Sequence, residues 1–165
     1  MNEKYMDMTY VFHSTNEYSE LIQTFINETN LSNCEIVSDD KIKSHILHKS
    51  IFAVAKSGTI SLEISNAKIP SIILYKMGII NFMIVKSLVK TKYANIINFA
   101  ANEEIIPELL QSNCNSKNIF NHVSSFLEDP NKIKIQVNKV QNVLDELKTN
   151  GSSSELASLS LNKFL

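Results

Sequence analysis

The 165-residue sequence contains no arginine. All sixteen of its basic side chains are lysine, set against seventeen acidic residues for a net charge of −1. The absence removes the planar guanidinium fork that grips carboxylates and phosphates through paired bonds, so no such clamp can be built from this chain alone. The even charge balance leaves no net field to draw the chain onto nucleic acid, and no nucleic-acid partner is expected. Glycine and proline number three each, which excludes collagen-like or linker-like material. Cys34 and Cys114 stand eighty positions apart and match no metal spacing, so two reduced thiols in a reducing compartment are expected. The opening residues MNEKYMDMTY lack the apolar core of a secretory signal, which makes the cytosol the expected compartment. The longest apolar stretch, residues 69–89, is interrupted by Lys76, Gly78, Asn81 and Lys86 and opens on Pro70. Strand, turn and helix are expected there instead of a membrane span.

What is present is a globular pattern, 44% apolar and 20% charged. A chain of this length buries roughly 70% of its unfolded surface, enough for a core without disulfides or metal. Short apolar runs alternate with helical patterns. Tyr10-Val11-Phe12 precedes the capping-box pattern Ser14-Thr15-Asn16-Glu17 and a helix with Leu21, Ile22, Phe25 and Ile26 on one face. Cys34 to Val37 forms a second strand, followed by a helix with Ile42, Ile46 and Leu47, for which Asp39-Asp40 serves as a cap. The run Ile51 to Ala55 forms a third strand, a helix spans Thr59 to Lys68, and Ser71 to Tyr75 forms a fourth strand after Pro70. Strands that are continuously apolar and separated by helices indicate a parallel sheet covered on both faces, hence a right-handed α/β fold. Beyond residue 100 helices dominate. Ile133, Val137, Val140, Leu144 and Leu147 mark one long amphipathic helix, stopped at Asn150-Gly151-Ser152, with a last helix to Leu165. The chain enters its first strand within ten residues of Met1, like a fold joined after its opening unit.

The most pointed chemical feature is Lys56-Ser57-Gly58-Thr59-Ile60-Ser61-Leu62-Glu63, directly after a buried strand and opening a helix. Glycine lets a ligand approach the backbone, and a helix N-terminus offers free N–H groups to a phosphate. Ser57 and Thr59 hydroxyls add donors. Glu63 follows Thr59 by four residues, one turn along the same face, where a carboxylate suits ribose hydroxyls. The carboxyl ends of strands in open α/β sheets are the expected ligand crevice. A second segment, residues 90–111, places Asn98, Asn102, Glu103 and Glu104 ahead of a predicted helix with Pro107 in its first turns. His45 and His48 are read as solvated or capping side chains, His13 as a candidate border of the nucleotide, and His122 as structural. No metal site and no cofactor are expected.

Together these segments resemble one family. Ser57-Gly58-Thr59-x-x-Leu62-Glu63, Pro70, Tyr75-Lys76-Met77, Leu88-Val89-Lys90-Thr91-x-Tyr93, Asn98 and Pro107-Glu108-Leu109-Leu110-Gln111 follow lipid-A-disaccharide synthase, a GT-B glycosyltransferase, in order and spacing over residues 9–160. The resemblance implies an incomplete Rossmann-like parallel sheet, the C-terminal lobe of a GT-B enzyme, with C-terminal helices. It implies a disordered N-terminus at 1–8, a partial UDP-sugar-binding lobe at 9–129, and helices at 130–165 that pack on a neighbouring chain in a homodimer. The implied reaction moves 2,3-diacylglucosamine from its UDP donor to the lipid-linked acceptor lipid X, in the cytoplasm and peripherally at the inner membrane. Carried over by position, Ser57, Gly58 and Thr59 face the diphosphate and Glu63 the ribose, while Asn98, Glu104 and Gln111 match polar positions beside the donor. No catalytic residue is carried over, because the N-terminal lobe with the family's proposed carboxylate is missing, as is the glycine-serine-arginine turn. Asn102 and Glu103 replace the family's glycine and arginine, and Lys76 replaces an arginine. The expectation is therefore a donor-binding part that is inactive without an N-terminal-lobe partner chain. The rival expectations are a non-catalytic remnant or interaction module, and a nucleotide-sugar-binding domain without transfer. An apolar helix at 79–90 is expected to be buried or to touch lipid, with Lys86, Lys90 and Lys92 near the headgroups.

Overall fold

The computed structural model describes Tyr5, residues 7–78 and residues 92–148. The apolar helix expected at 79–90, the Leu88–Thr91 motif, the final helix and most of the disordered N-terminus expected at 1–8 lie outside the described residues. The chain divides into two compact units, Met1–Phe52 and Ala53–Leu165. Each is described by itself.

The first unit is one parallel crossover and a further helix. Strand β1 (Tyr10–His13) pairs in parallel with β2 (Cys34–Val37), with Tyr10 opposite Cys34 and His13 opposite Val37. Partial burial and the neighbouring Cys34 and Tyr5 raise the Tyr10 phenol, and partial burial raises the Cys34 thiol, so Cys34 is no activated thiolate. Helix α1 (Asn16–Glu28) joins the strands. Its N-cap is Thr15, whose side chain makes no capping bond, so the capping box predicted from Ser14 and Glu17 does not form. Of its predicted face only Ile26 is buried, while Leu21 and Phe25 are exposed, because a two-stranded ribbon covers one flank of a helix. The helix ends in a Schellman motif on a left-handed asparagine. Asn30 has φ 49°, Asn30 N–H bonds Asn27 O at 3.3 Å, and Leu31 N–H bonds Ile26 O at 3.2 Å. Helix α2 (Asp40–Lys49) opens as the sequence indicates, with Asp39 accepting from Lys41 N–H at 2.7 Å.

The second unit holds a three-stranded parallel sheet in the order β3-β4-β5: β3 (Ala53–Lys56), β4 (Ser71–Tyr75) and β5 (Glu108–Leu110). Helix α3 (Thr59–Asn66) connects the first two, and α4 (Ile96–Ala101) precedes the third. β5 corrects the helix predicted after Pro107. Ile73 N–H donates to Pro107 O at 2.9 Å, and the residue before a proline is pushed toward extended backbone, so the segment extends into the sheet. A 3-10 turn at Gln111–Asn113, α5 (Ser116–Leu127) and α6 (Pro130–Leu147) complete the unit. Asp129 caps α6 at Asn131 N–H, and Pro130 sits in its first turn, where a missing N–H costs nothing.

The core joins the middle of the sheet to α4 and α6 through Ile73, Ile97, Ile105, Ile106, Val140, Val143 and Leu144. Burying one such side chain contributes about 2 kcal/mol. The buried face of α6 runs through Gln136, Val140, Val143 and Leu144, whereas Leu147, predicted on that face, is exposed. Gln136 is the polar member, 4% exposed. Its Oε1 accepts from Ser71 N–H at 2.8 Å, and its Nε2 donates to Ser71 O at 3.0 Å and Ile105 O at 3.2 Å. Gln141 Nε2 donates to Ser65 O at 2.7 Å and ties the same helix to the end of α3. Gln136→Leu leaves the Ser71 N–H buried without an acceptor, and the expected loss is about 2 kcal/mol. In urea unfolding the midpoint falls while the slope stays constant. An unmoved midpoint contradicts the pinning role.

Candidate functional site

Two loops meet at the carboxyl end of β3. The first is the turn at Ser57 and Gly58. Gly58 is the N-cap of α3 with φ 150° and ψ −165°, a conformation open essentially to glycine alone. A Cβ built there meets nothing within 4 Å, so the backbone is bare to its surroundings. As glycine, this N-cap has no side chain of its own with which to cap the first turn of α3. Gly58 O accepts from Ser61 N–H at 3.0 Å and from Ser61 Oγ at 2.6 Å, which fixes the turn from within. The amides of Thr59 and Ile60 belong to the first turn, where a helix supplies no acceptor of its own. Gly58 and Thr59 are exposed, and Glu63, one turn along, is half-buried.

The second loop is residues 92–95, leading into α4. Ser57 Oγ donates to Ala94 O at 2.8 Å, which ties the turn to the neighbouring loop. Glu108 holds the loop from β5. Its Oε2 accepts from Ala94 N–H at 2.7 Å, and its Oε1 accepts from Asn95 N–H at 3.0 Å and Asn98 Nδ2 at 2.8 Å. A carboxylate at the start of α4 also offsets that helix's positive end. Asn95 caps α4 through Ile97 N–H at 2.9 Å, and its Nδ2 is buried without a partner. Tyr93, Ala94, Asn95, Ile96 and Phe99 line an open pocket of about 260 Å³ beside the turn.

The other predicted residues have different surroundings. Asn98 is fully buried, and all four of its hydrogen-bonding positions are filled. Its Nδ2 donates to Ile106 O at 2.6 Å as well as to Glu108, and its Oδ1 accepts from Ile105 N–H at 2.9 Å and Ile106 N–H at 2.8 Å. Asn98 thus shapes the loop beside the crevice and presents no free group to it. Gln111, predicted to end a helix, sits after β5 with φ 50° and grips Met77 in both directions. Its Nε2 donates to Met77 O at 3.1 Å, and its Oε1 accepts from Met77 N–H at 2.8 Å. Glu104 is exposed and accepts from Glu108 N–H at 3.2 Å. Asn102 is left-handed at φ 49° as asparagine allows, and Glu103 pairs with Lys139 on α6. Among the described residues no group of His, Cys, Asp or Glu is set to hold a metal ion, and no described helix is long and apolar enough to cross a membrane.

Sequence reasoning gave Glu108 no role beyond its place in the Pro107–Gln111 motif, and it passed over Gln136. The signal for Gln136 is a polar residue inside the apolar pattern on the inner face of α6.

The parallel strands, their crossovers and the strand-to-helix turn define an incomplete Rossmann-like α/β lobe of the GT-B type. The family model described as lipid-A-disaccharide synthetase matches residues 1–161, and the chain belongs to that family. It is 34% identical over 160 residues to the lipid-A-disaccharide synthase of Rickettsia prowazekii, covering 95% of this chain and 41% of the relative. The synthase of Rickettsia bellii is 35% identical over 131 residues, covering 79% and 33%. That of Rickettsia akari is 40% identical over 107 residues, covering 64% and 27%. The chain therefore spans about two-fifths or less of the length of these relatives and corresponds to their C-terminal part.

Asn98→Ala strands the buried Ile106 amide and carbonyl at once and leaves the Ile105 amide only its bond to Glu103 O, with an expected loss of about 3 kcal/mol in urea unfolding. Glu108→Gln keeps one acceptor and falls between this variant and wild type. A loss under about 1 kcal/mol for Asn98→Ala contradicts the network described.

Proposed function

We propose that the chain is the nucleotide-sugar-binding part of a lipid-A-disaccharide synthase. In this reading the diphosphate of a UDP-sugar lies on the Gly58 turn at the start of α3, with Thr59 adding a hydroxyl and Glu63 holding the ribose. Ser57 acts at one remove, tying the turn to Ala94. Asn98 and Gln111 contribute by fixing the loops around the donor, and Glu104 lies on the rim. The reaction served is transfer of 2,3-diacylglucosamine from UDP to the lipid-linked acceptor lipid X, at the cytoplasmic face of the inner membrane. Transfer needs the remainder of the GT-B enzyme, with its second lobe, as partner. The C-terminal helices, 130–165, are proposed to exchange with a second copy.

The carrying observation is a contrast between two helix starts in one unit. The N-terminus of α4 is already occupied by the Glu108 carboxylate, while that of α3 begins at a glycine, which has no side chain to cap the turn and has open space where a Cβ would stand. An anion is therefore favoured at α3 and repelled at α4. The absence of arginine leaves backbone amides and lysine to meet the phosphates, consistent with modest affinity for the part alone.

Calorimetric titration of the chain with UDP tests the reading. Binding at a Kd of about 1 mM or tighter is expected. Gly58→Val forces a side chain into a backbone conformation that glycine alone tolerates and fills the approach to the turn, and it abolishes the signal. Glu63→Ala weakens binding about tenfold, as expected for loss of a carboxylate bond to ribose. Both variants are compared at unchanged circular dichroism. Absence of binding by the wild-type chain, or equal binding by Gly58→Val, contradicts the proposal.

A further inference from the structure

The open pocket beside the Gly58 turn has mostly carbon for walls. It measures about 260 Å³ and is lined by Tyr93, Ala94, Asn95, Ile96 and Phe99. Ile96 is 50% exposed and Phe99 57%, and with the exposed Ala100 they form an i, i+3, i+4 stripe on α4. Single exposed apolar side chains are ordinary on any surface. A stripe of them bordering a cavity suits an apolar ligand instead. Lys92 Nζ lies 5.1 Å from the centroid of the Tyr93 ring, a cation–π contact that steadies that wall.

The polar groups of Ala94 and Asn95 are all spent but one. Both backbone N–H groups go to Glu108, Ala94 O takes the Ser57 hydroxyl, and Asn95 O takes Phe99 N–H at 2.9 Å. Asn95 Oδ1 takes Ile97 N–H. Asn95 Nδ2 remains, a donor without an acceptor on a residue only 1% exposed. The contrast is with Asn98, one turn along, whose amide is saturated by backbone and Glu108. A buried donor left unmet is costly, and an occupant that brings a single carbonyl recovers that cost. A nucleobase is a poor occupant, since its edge carries donors and acceptors together and one amide donor does not answer them. An acyl chain presents one carbonyl and then methylenes, which is what an amide at the root of an apolar pocket complements.

We infer that this pocket seats an acyl chain carried by the sugar of the donor, with Tyr93, Ile96 and Phe99 against the methylenes and Asn95 Nδ2 donating to the carbonyl that joins chain to sugar. The pocket is continuous with the crevice through Ala94, which lines it and is tied to Ser57 beside Gly58. A sugar whose diphosphate lies on that turn has the pocket beside it, a placement that rests on the donor-binding reading above. Phe99 and Asn95 then determine specificity. They favour an acylated nucleotide sugar over a plain one by burying its chain and pairing its carbonyl.

Calorimetry on the full chain compares UDP-glucosamine bearing hexanoyl chains, kept below its micelle concentration, with UDP-glucosamine bearing none. The acylated ligand binds about tenfold tighter or more, and it alone shifts the Phe99 ring resonances in NMR spectra. Phe99→Ser and Asn95→Ser bring the ratio of the two affinities close to one, and the second keeps a side-chain oxygen to cap α4. Equal affinity of the wild-type chain for both ligands, or a ratio that survives in both variants, overturns the pocket and leaves the donor site standing. The ring shift is read in the wild-type chain, so it decides even where a variant fails to fold: acylated ligand bound without a Phe99 shift overturns the pocket. Hexanoylated glucosamine lacking the nucleotide separates the two proposals. A Phe99 shift with this ligand and no binding of UDP supports the pocket and overturns the donor site, while no binding of any of these ligands overturns both.

Discussion

The side chain of Asn98 and the carboxylate of Glu108 form the constraint on which the rest of the crevice depends. One amide accepts two backbone N–H groups from Ile105 and Ile106 and donates to Ile106 O and to Glu108. The same carboxylate then takes the N–H groups of Ala94 and Asn95, and Ala94 O takes the hydroxyl of Ser57. A continuous set of hydrogen bonds therefore runs from β5 through the start of α4 to the turn after β3. Buried networks of this kind are strong when every member is satisfied and costly when one is removed, which gives the loops a single arrangement. Gln111 and Gln136 extend the same device, each using one amide to engage a backbone N–H and C=O together.

This arrangement also decides where negative charge can go. Two helices begin near the end of β3, and Glu108 closes one of them to anions. With no arginine in the chain, the proposed seat for phosphate is the Gly58 turn. Lysine replaces the guanidinium fork only as a point charge, so geometry at such a site must come from the backbone. The scarcity of glycine has a parallel answer elsewhere. Left-handed positions at helix ends fall to Asn30, Lys68 and Asn102, and Gly58 is kept for the one conformation that no other residue adopts readily.

Much of the architecture was legible in the sequence. β1 to β4 fall in short apolar runs bounded by turn signals, and their separation by helical patterns indicates parallel pairing. β5 was not legible, because three residues behind a proline carry no period and Glu-Leu-Leu favours helix by propensity. Its strand state is imposed by pairing with Ile73 to Tyr75. The candidate turn at 57–59 could be read from residue types, since glycine between a strand and a helix has a local meaning. The inward roles of Asn98, Gln111 and Gln136 could not, because a side-chain amide looks the same in sequence whether it meets ligand or backbone. Family spacing drew attention to Asn98, Glu104 and Gln111, and tertiary contacts alone distinguish the two amides that brace the loops from the exposed carboxylate at the rim. The predicted face of α1 failed for a related reason: periodicity marks an apolar stripe, not what covers it.

The central claim is that Asn98 locks the loop between α4 and β5 from inside. Hydrogen exchange at the Ile105 and Ile106 amides reads this most directly, since both donate to the Asn98 carbonyl oxygen and to no strand, Ile106 to that oxygen alone and Ile105 to Glu103 O as well. The account predicts that these two amides exchange as slowly as that of Ile73 at the centre of the sheet. Exchange at the rate of an exposed loop would contradict it.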